Sequence, residues 1–511
     1  MSPVTNTITP STSLEAPTSY ITAPDRDTHE FFLRKIFELI LRENIFDGIQ
    51  REEKVCKFKL PKDLKETLDF EVGQSPVNNH QELVDLMEKI CSLSVKTGHP
   101  YFVNQLFSGL DPYGLAGEFV ASSLNSSVYT YEVSPIFTMM ELEIFEKMRN
   151  IIGFPAGRGD GVMCPGGSIA NGYAISVARY KKRPSIKAKG LSGGKTLVMF
   201  TSEDAHYSSQ KLASFEGLGM DNCIGVKVDS RGKMIPEELE KQIEKCIAED
   251  KEPFLVVATS GSTVLGAFDP LEPIAEICSK YKMWFHVDAA WGGGALMSQK
   301  HKNLMKGIDR ADSVTWNPHK LLCAPQQCSV FLCKDDNVLT DCHATHATYL
   351  FQKDKFYDSD RYDTGDKYIQ CGRRADILKF WFMWKAKGIQ GFEQHIDHIF
   401  RLKEFAVKQI KNRESAFQLV LPEPECTNVS FWYVPRSMRH LDTESIEFRD
   451  GIHKIAPKIK ERMMKTGSMM VTYQPLRNTP NFFRIVFQSS VLTEQDIIYF
   501  FDKIEELGED L

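Results

Sequence analysis

The chain is 511 residues long, which allows about three domains at roughly 100–200 residues each. A hydrophobic share of 42% and a charged share of 25% exclude wholesale disorder. With 62 basic and 68 acidic side chains the net charge is −6, so nothing electrostatic favours nucleic acid or a membrane surface as partner. No apolar run approaches the roughly 18 residues of a membrane helix, and the N-terminus lacks a basic-then-apolar signal pattern. The spacing of Cys323, Cys328 and Cys333 fits no C-x-x-C metal site. The expectation is a cytoplasmic protein with reduced thiols and no metal centre.

In chain order, residues 1–27 are rich in Ser, Thr and Pro and are expected to be a flexible tail. Apolar residues at helical spacing predict helices over Glu30–Ile40, Asn79–Ser92, Pro112–Phe119 and Pro135–Asn150. From Gly153 the texture changes. Strands are predicted at Thr196–Thr201, Cys223–Val228, Phe254–Thr259, Met283–Asp288, Ser313–Trp316 and Ser329–Lys334. Helices are predicted between them, at Ser168–Lys182, Tyr207–Leu218, Pro236–Glu249 and Pro270–Tyr281. Such alternation reads as an α/β layer with a mostly parallel sheet. A long amphipathic stretch follows at Ala375–Ile399, then strands at Gln418–Leu421, Val429–Val434, Met469–Gln474 and Phe482–Phe487 mixed with helices.

Four short runs carry chemistry. Asn317-Pro318-His319-Lys320 follows a strand, and the Asn-Pro turn projects a lysine above the sheet edge. A desolvated lysine there is a Schiff-base nucleophile; a lone lysine, without the other runs beside it, reads instead as a snorkelling surface residue. Asp288 ends the strand before Ala289-Ala290-Trp291-Gly292, where α/β sheets bind ligands; it suits a protonated pyridine nitrogen or a helix cap. Pro165-Gly166-Gly167-Ser168 opens a helix and offers a phosphate cradle, or a plain capped turn. Gly194-Lys195-Thr196 is no nucleotide P-loop, because Lys189 stands where a glycine is required and strand follows instead of helix. Arg484, flanked by apolar residues in Phe482–Phe487, calls for an anion, either a protein carboxylate or a substrate carboxylate. Phosphate cradle, ring-nitrogen acid, Schiff-base lysine and carboxylate clamp together are the parts of a pyridoxal-phosphate enzyme.

These runs, with Thr259–Pro270 (TSGSTVLGAFDP), Tyr349–Gln352, Asp363–Gly372 and Phe380–Gly388, resemble the group II pyridoxal-phosphate decarboxylases. The resemblance is to the branch holding glutamate, cysteine-sulfinate and insect-type aspartate decarboxylases, and it runs from about residue 28 to the end. It implies an aminotransferase-like fold (fold type I), an N-terminal helical dimerisation segment over 28–111, a cofactor-binding large domain over 112–388 and a small α+β domain over 389–511. It also implies a homodimer. By motif match Lys320 would hold pyridoxal 5'-phosphate, Asp288 would pair with its ring nitrogen and His206 would stack on the ring. Gly167, Ser168 and His319 would lie near the phosphate, with Ala290 and Thr259 lining the cofactor site. Gln105 and Arg484 would hold substrate carboxylates, and Tyr349 would reach the partner's site on a mobile loop and supply the final proton.

Within that branch the run after the lysine usually has Leu before Gln-Cys, whereas here it is Pro325-Gln326-Gln327-Cys328. Gln326 at that place looks like the aspartate 1-decarboxylases, because an amide can reach a short side-chain carboxylate; it can also simply bond loop backbone. Aspartate is therefore the first substrate expected, then cysteine sulfinate, then glutamate. A catalytically silent dimer on the same fold is the alternative outside enzymology, and intact Lys320, Asp288 and Tyr349 argue against it.

Overall fold

The computed structural model describes residues 26–74, 76–77 and 79–511. Most of the expected tail lies outside the described residues, and helix begins at Arg26. The described residues form two compact units, one of those up to 102 with 457–471, the other of 103–456 with 472–511. In the first unit the helices Arg26–Ile40 and His80–Leu93 carry the predicted periodicity, and Asn79 caps the second by accepting from Glu82 N–H at 3.1 Å.

The second unit contains both sheets. The larger comprises β1 (Asp160–Cys164), β2 (Leu197–Ser202), β3 (Cys223–Val226), β4 (Glu252–Thr259), β5 (Trp284–Ala289), β6 (Ser313–Trp316) and β7 (Ser329–Cys333), in the order β1-β7-β6-β5-β4-β2-β3. Neighbours from β6 to β3 pair in parallel, and only β7 runs against the rest. The α/β class and the mostly parallel sheet are therefore as expected. β2, β6 and β7 are buried along their whole length and β4 from its second residue on, which explains their near-continuous apolar sequences. The sequence reading passed over β1, whose five residues include a glycine.

Helices cover the sheet. Gly167–Lys182 is buried without a break from Ala170 to Ala178, so it lacks the polar stripe of a surface helix. Pro236–Ala248 starts with Pro at its first position and Glu237 and Glu238 in its first turn, favourable for both backbone geometry and dipole. The amphipathic stretch becomes the helix Ile377–Asn412, interrupted at Gly388 (φ 60°, ψ −175°). A smaller antiparallel sheet, β8 (Phe417–Leu419), β9 (Asn428–Tyr433), β10 (Thr472–Gln474) and β11 (Phe482–Val486), has the order β10-β11-β9-β8. Among the described residues no helix is long and apolar enough to cross a membrane.

Candidate active site

Because six of the seven strands run the same way, the segments after β1, β2, β4, β5 and β6 emerge at one edge of the sheet. The segment leading into β7 starts from that edge too, because β7 is reversed. Open α/β sheets bind ligands at this edge. A cavity of about 410 Å³ lies there, and Lys320, Asp288, His206, Gly167, Ser168, His319, Ala290, Thr259 and Gln326 all line it. Residues far apart in sequence thus meet through the strand order. Tyr349, Gln105 and Arg484 do not line this cavity.

Asp288 is buried at the end of β5. Its Oδ1 accepts from the Ala290 N–H at 3.0 Å and its Oδ2 from Asn171 Nδ2 at 2.8 Å. Lys320 follows the turn after β6, with its own N–H bonded to the Asn317 carbonyl at 3.0 Å. Burial pushes the Lys320 amine below its ordinary value, while the Asp288 carboxylate pulls the other way. His206 places Nδ1 at 2.8 Å from Ser208 Oγ, with its ring centroid 4.3 Å from that of Tyr207, and burial lowers its pKa so that the neutral ring is favoured. His319 sets Nδ1 at 2.7 Å from the Cys328 carbonyl, and burial lowers it to about 4. That contact belongs to an N–H donated by the ring.

At the phosphate end, no side chain caps the start of Gly167–Lys182, so its first N–H groups are left to the cavity. A side chain at Gly167 would bring a Cβ within 2.6 Å of Asn317 Nδ2, so only glycine fits. Thr259 Oγ1 and Asn317 Oδ1 are buried without a partner, which leaves polar groups to be met by a ligand. An uncapped helix start beside Ser168, a buried carboxylate and a desolvated amine suit, in turn, a phosphate, a protonated ring nitrogen and an aldehyde carbon. The residues present fit pyridoxal phosphate.

Arg484 sits in β11, buried. Among the described residues no protein carboxylate, the partner considered from sequence, meets it. Nη1 donates to the Thr263 carbonyl at 2.6 Å and Nη2 to the Asn104 carbonyl at 3.2 Å, Nε has no partner, and burial alone lowers the group to about 10. Thr263 itself lines the cavity, so the guanidinium lies behind its wall. Gln105 is exposed, and Tyr349 is 77% exposed on a segment that borders a different cavity. Asn171, Thr263 and Trp291 also line the site without having been singled out from sequence. For Asn171 a signal existed, since it lies one helical turn after the Gly167-Ser168 cradle and on its side of the helix.

The family model for the pyridoxal-dependent decarboxylase conserved domain matches residues 61–434. Human cysteine sulfinic acid decarboxylase is 51% identical over 483 residues, covering 94% of this chain and 97% of that protein. The acidic amino acid decarboxylase GADL1 of Xenopus tropicalis is 50% identical over 488 residues, covering 95% and 94%. A crystal structure of mouse CSAD matches with a TM-score of 0.92 at 49% identity, covering 96% of this chain and all of that one. The TDC of Oryza sativa, solved with PLP and tryptamine, shares the fold at a TM-score of 0.85 and 21% identity, over 95% and 99% of the two chains. Over most of its length, and with a site whose residues suit pyridoxal phosphate as cofactor, the chain belongs to the pyridoxal-dependent decarboxylase family.

Proposed function

We propose that this protein removes the α-carboxylate of a short acidic amino acid, with L-aspartate preferred and β-alanine and carbon dioxide as products. The observation that carries the substrate choice is Gln326, which lines the same cavity as Lys320 and Asp288. The family resemblance leads one to expect leucine there, and leucine offers a substrate oxygen nothing. A carboxamide donates a hydrogen bond to a side-chain carboxylate within its reach. The names of the relatives, cysteine sulfinic acid and acidic amino acid decarboxylases, support an acidic substrate. They also make cysteine sulfinate, nearly isosteric with aspartate, the second reading; glutamate is one methylene longer and ranks third.

Bound pyridoxal phosphate supplies the electron sink that accepts the pair left when carbon dioxide departs. The protein's own groups do the rest. Lys320 offers an amine kept below its ordinary pKa by burial, suited to hold a carbonyl carbon and to be displaced by a substrate amine. Asp288, held by two donors, keeps a proton on the ring nitrogen. His206, with its neutral ring favoured, provides a flat face without adding positive charge. Arg484, a cation with no carboxylate facing it among the described residues, attracts the substrate's acid groups toward the Thr263 wall. Tyr349 then delivers a proton to the substrate α-carbon from a second copy of the chain, and its segment keeps water out.

A homodimer accounts for two features of the isolated chain. Tyr349 is exposed and does not line the cavity it is expected to serve. Val120, Leu124, Ile136 and Met139, on the helices Pro112–Leu124 and Pro135–Ile152, expose apolar surface that a second copy would cover. The twelve unpaired cysteines support a cytoplasmic location.

The test is a competition among aspartate, cysteine sulfinate and glutamate with product analysis, repeated on Gln326→Leu. The substitution should lower kcat/KM for aspartate by about 10–100-fold, as expected for losing a hydrogen bond to a charged group, and for cysteine sulfinate by less. An unchanged aspartate-to-sulfinate ratio would assign Gln326 to the loop backbone and remove the basis for preferring aspartate.

A further inference from the structure

Asp288 is the last member of a chain of hydrogen bonds that runs back into the sheet. The two-residue period of β5 puts Trp284, His286 and Asp288 on one face, and the register with β6 sets His286 beside Ser313 and Asp288 beside Thr315. Asn171 reaches the same face from the helix Gly167–Lys182. Trp284 Nε1 lies 2.8 Å from Ser313 Oγ, Ser313 Oγ 2.8 Å from His286 Nδ1, His286 Nε2 3.2 Å from Asn171 Oδ1, and Asn171 Nδ2 2.8 Å from Asp288 Oδ2. Thr315 Oγ1 is a further neighbour of His286 Nε2 at 3.3 Å. Asn171, His286, Ser313 and Thr315 are all buried, so water does not compete for these bonds.

The carboxylate end fixes the direction of the protons behind it, and the indole end is compatible with that direction. An indole N–H can only donate, so Ser313 Oγ accepts from Trp284. An ionised carboxylate can only accept, so Asn171 turns its NH₂ toward Asp288 and its carbonyl oxygen toward His286. That oxygen needs a donor, which places the imidazole proton on Nε2. Nδ1 is then an acceptor, and it takes the Ser313 hydroxyl proton. The imidazole must be neutral for this, and its complete burial, which lowers it to about 4, keeps it so. Reversing the chain would turn a lone pair of Asn171 onto Asp288.

We propose that Asn171 and His286 are positioning residues that hold and aim the Asp288 carboxylate, through a one-directional chain of donors that reaches back to Trp284. The proposal rests on the reading that Asp288 meets the ring nitrogen of the cofactor. Its content is that the Asp288 carboxylate, which lines the cavity together with Lys320, is aimed by a neutral network that runs back into the sheet.

Two measurements on the protein without cofactor test this. In ¹⁵N-histidine-labelled protein, with the His286 resonances assigned by their loss in His286→Gln, the ring should be neutral with its proton on Nε2 from pH 6 to 8. A proton on Nδ1, or an imidazolium, would overturn the chain. Titration with pyridoxal phosphate gives the second readout. Asn171→Leu keeps the branched outline of the side chain but removes the carbonyl and the NH₂ of its amide, and should weaken cofactor binding about 10–100-fold. Asp288→Ala should weaken it as well. If Asp288→Ala weakens binding and Asn171→Leu does not, the relay fails by itself; if neither does, the placement of Asp288 at the ring nitrogen falls with it. The tautomer measurement uses the native sequence, so it decides the matter even where Asn171→Leu does not fold.

Discussion

Lys320 and Asp288 face the same cavity from adjacent strands, and their roles predict different failures when each is removed. Lys320→Ala should abolish turnover while leaving the folded protein intact, because no hydrogen bond or ion pair of its side chain is found among the described residues. Absorbance of the bound cofactor and its trapping by borohydride measure this, and retained decarboxylation would remove Lys320 from the reaction. Asp288→Asn keeps the shape but not the charge. It should cost about 10²–10³-fold in kcat, the scale of one preorganised electrostatic contact, with the substrate KM little changed. Both residues were legible in the sequence because each sits at a strand end within a short, chemically loaded run. The place of Asn171 one turn after the Gly167-Ser168 cradle hinted at the cavity, but its bond to Asp288 was not legible, because that partner lies 117 positions away and only the strand order brings the two together. Arg484 was read correctly as off-pattern, but its carbonyl partners are backbone groups of Thr263 and Asn104, which no side-chain pattern announces.

At the scale of elements, the apolar runs of β2, β4, β6 and β7 were legible because strands buried on both faces need no alternation. β1 was not, since Asp160-Gly161-Val162-Met163-Cys164 has too few β-formers and gains its order from pairing with β7. What holds β1 beside the helix Pro135–Ile152 is a buried polar cluster. Arg373 Nη1 pairs with Glu141 Oε1 at 2.8 Å, the Tyr368 hydroxyl donates to Glu141 Oε2 at 3.0 Å, and the Met163 N–H donates to that hydroxyl at 3.2 Å. Both charged side chains are at most 5% exposed, so neither can turn to water. Glu141→Gln leaves the Arg373 cation uncompensated and should destabilise the protein by about 3–5 kcal/mol, the usual result of breaking a buried pair from one side. Chemical denaturation checks this; a loss below about 1 kcal/mol, the range of exposed pairs, would show that Arg373 is solvated.

At the scale of the whole molecule, the prediction concerns which copy of the chain completes which site. If Tyr349 serves its partner, a hybrid of one Lys320→Ala chain and one Tyr349→Phe chain contains one intact site, with Lys320 from the second chain and Tyr349 from the first. Such hybrids, isolated with two affinity tags, should recover about half the wild-type rate of amine formation, although each parent homodimer fails. If Tyr349 acts within its own chain, the hybrid recovers nothing. The sequence alone showed neither the exposure of Tyr349 nor its absence from the lining of the Lys320 cavity, because both depend on how the segment after β7 is routed over the surface.

The reversal of β7 has a consequence for how such a protein can diversify. Residues 321–328 form a return path between two buried strands, fixed at one end by β6 and its lysine turn and at the other by β7. Gln326 stands on this path, whereas Asp288, His206 and Gly167 stand on others. On the proposed reading of Gln326, a replacement at that position changes which acid group is welcomed while leaving the segments that carry Asp288, His206 and Gly167 in place. Lys320 shares the β6–β7 connection with Gln326, while Asp288, His206 and Gly167 reach the cavity from other segments of the same sheet edge. A new preference can then arise by exchange of a few adjacent positions, with no need to rebuild the catalyst that it serves.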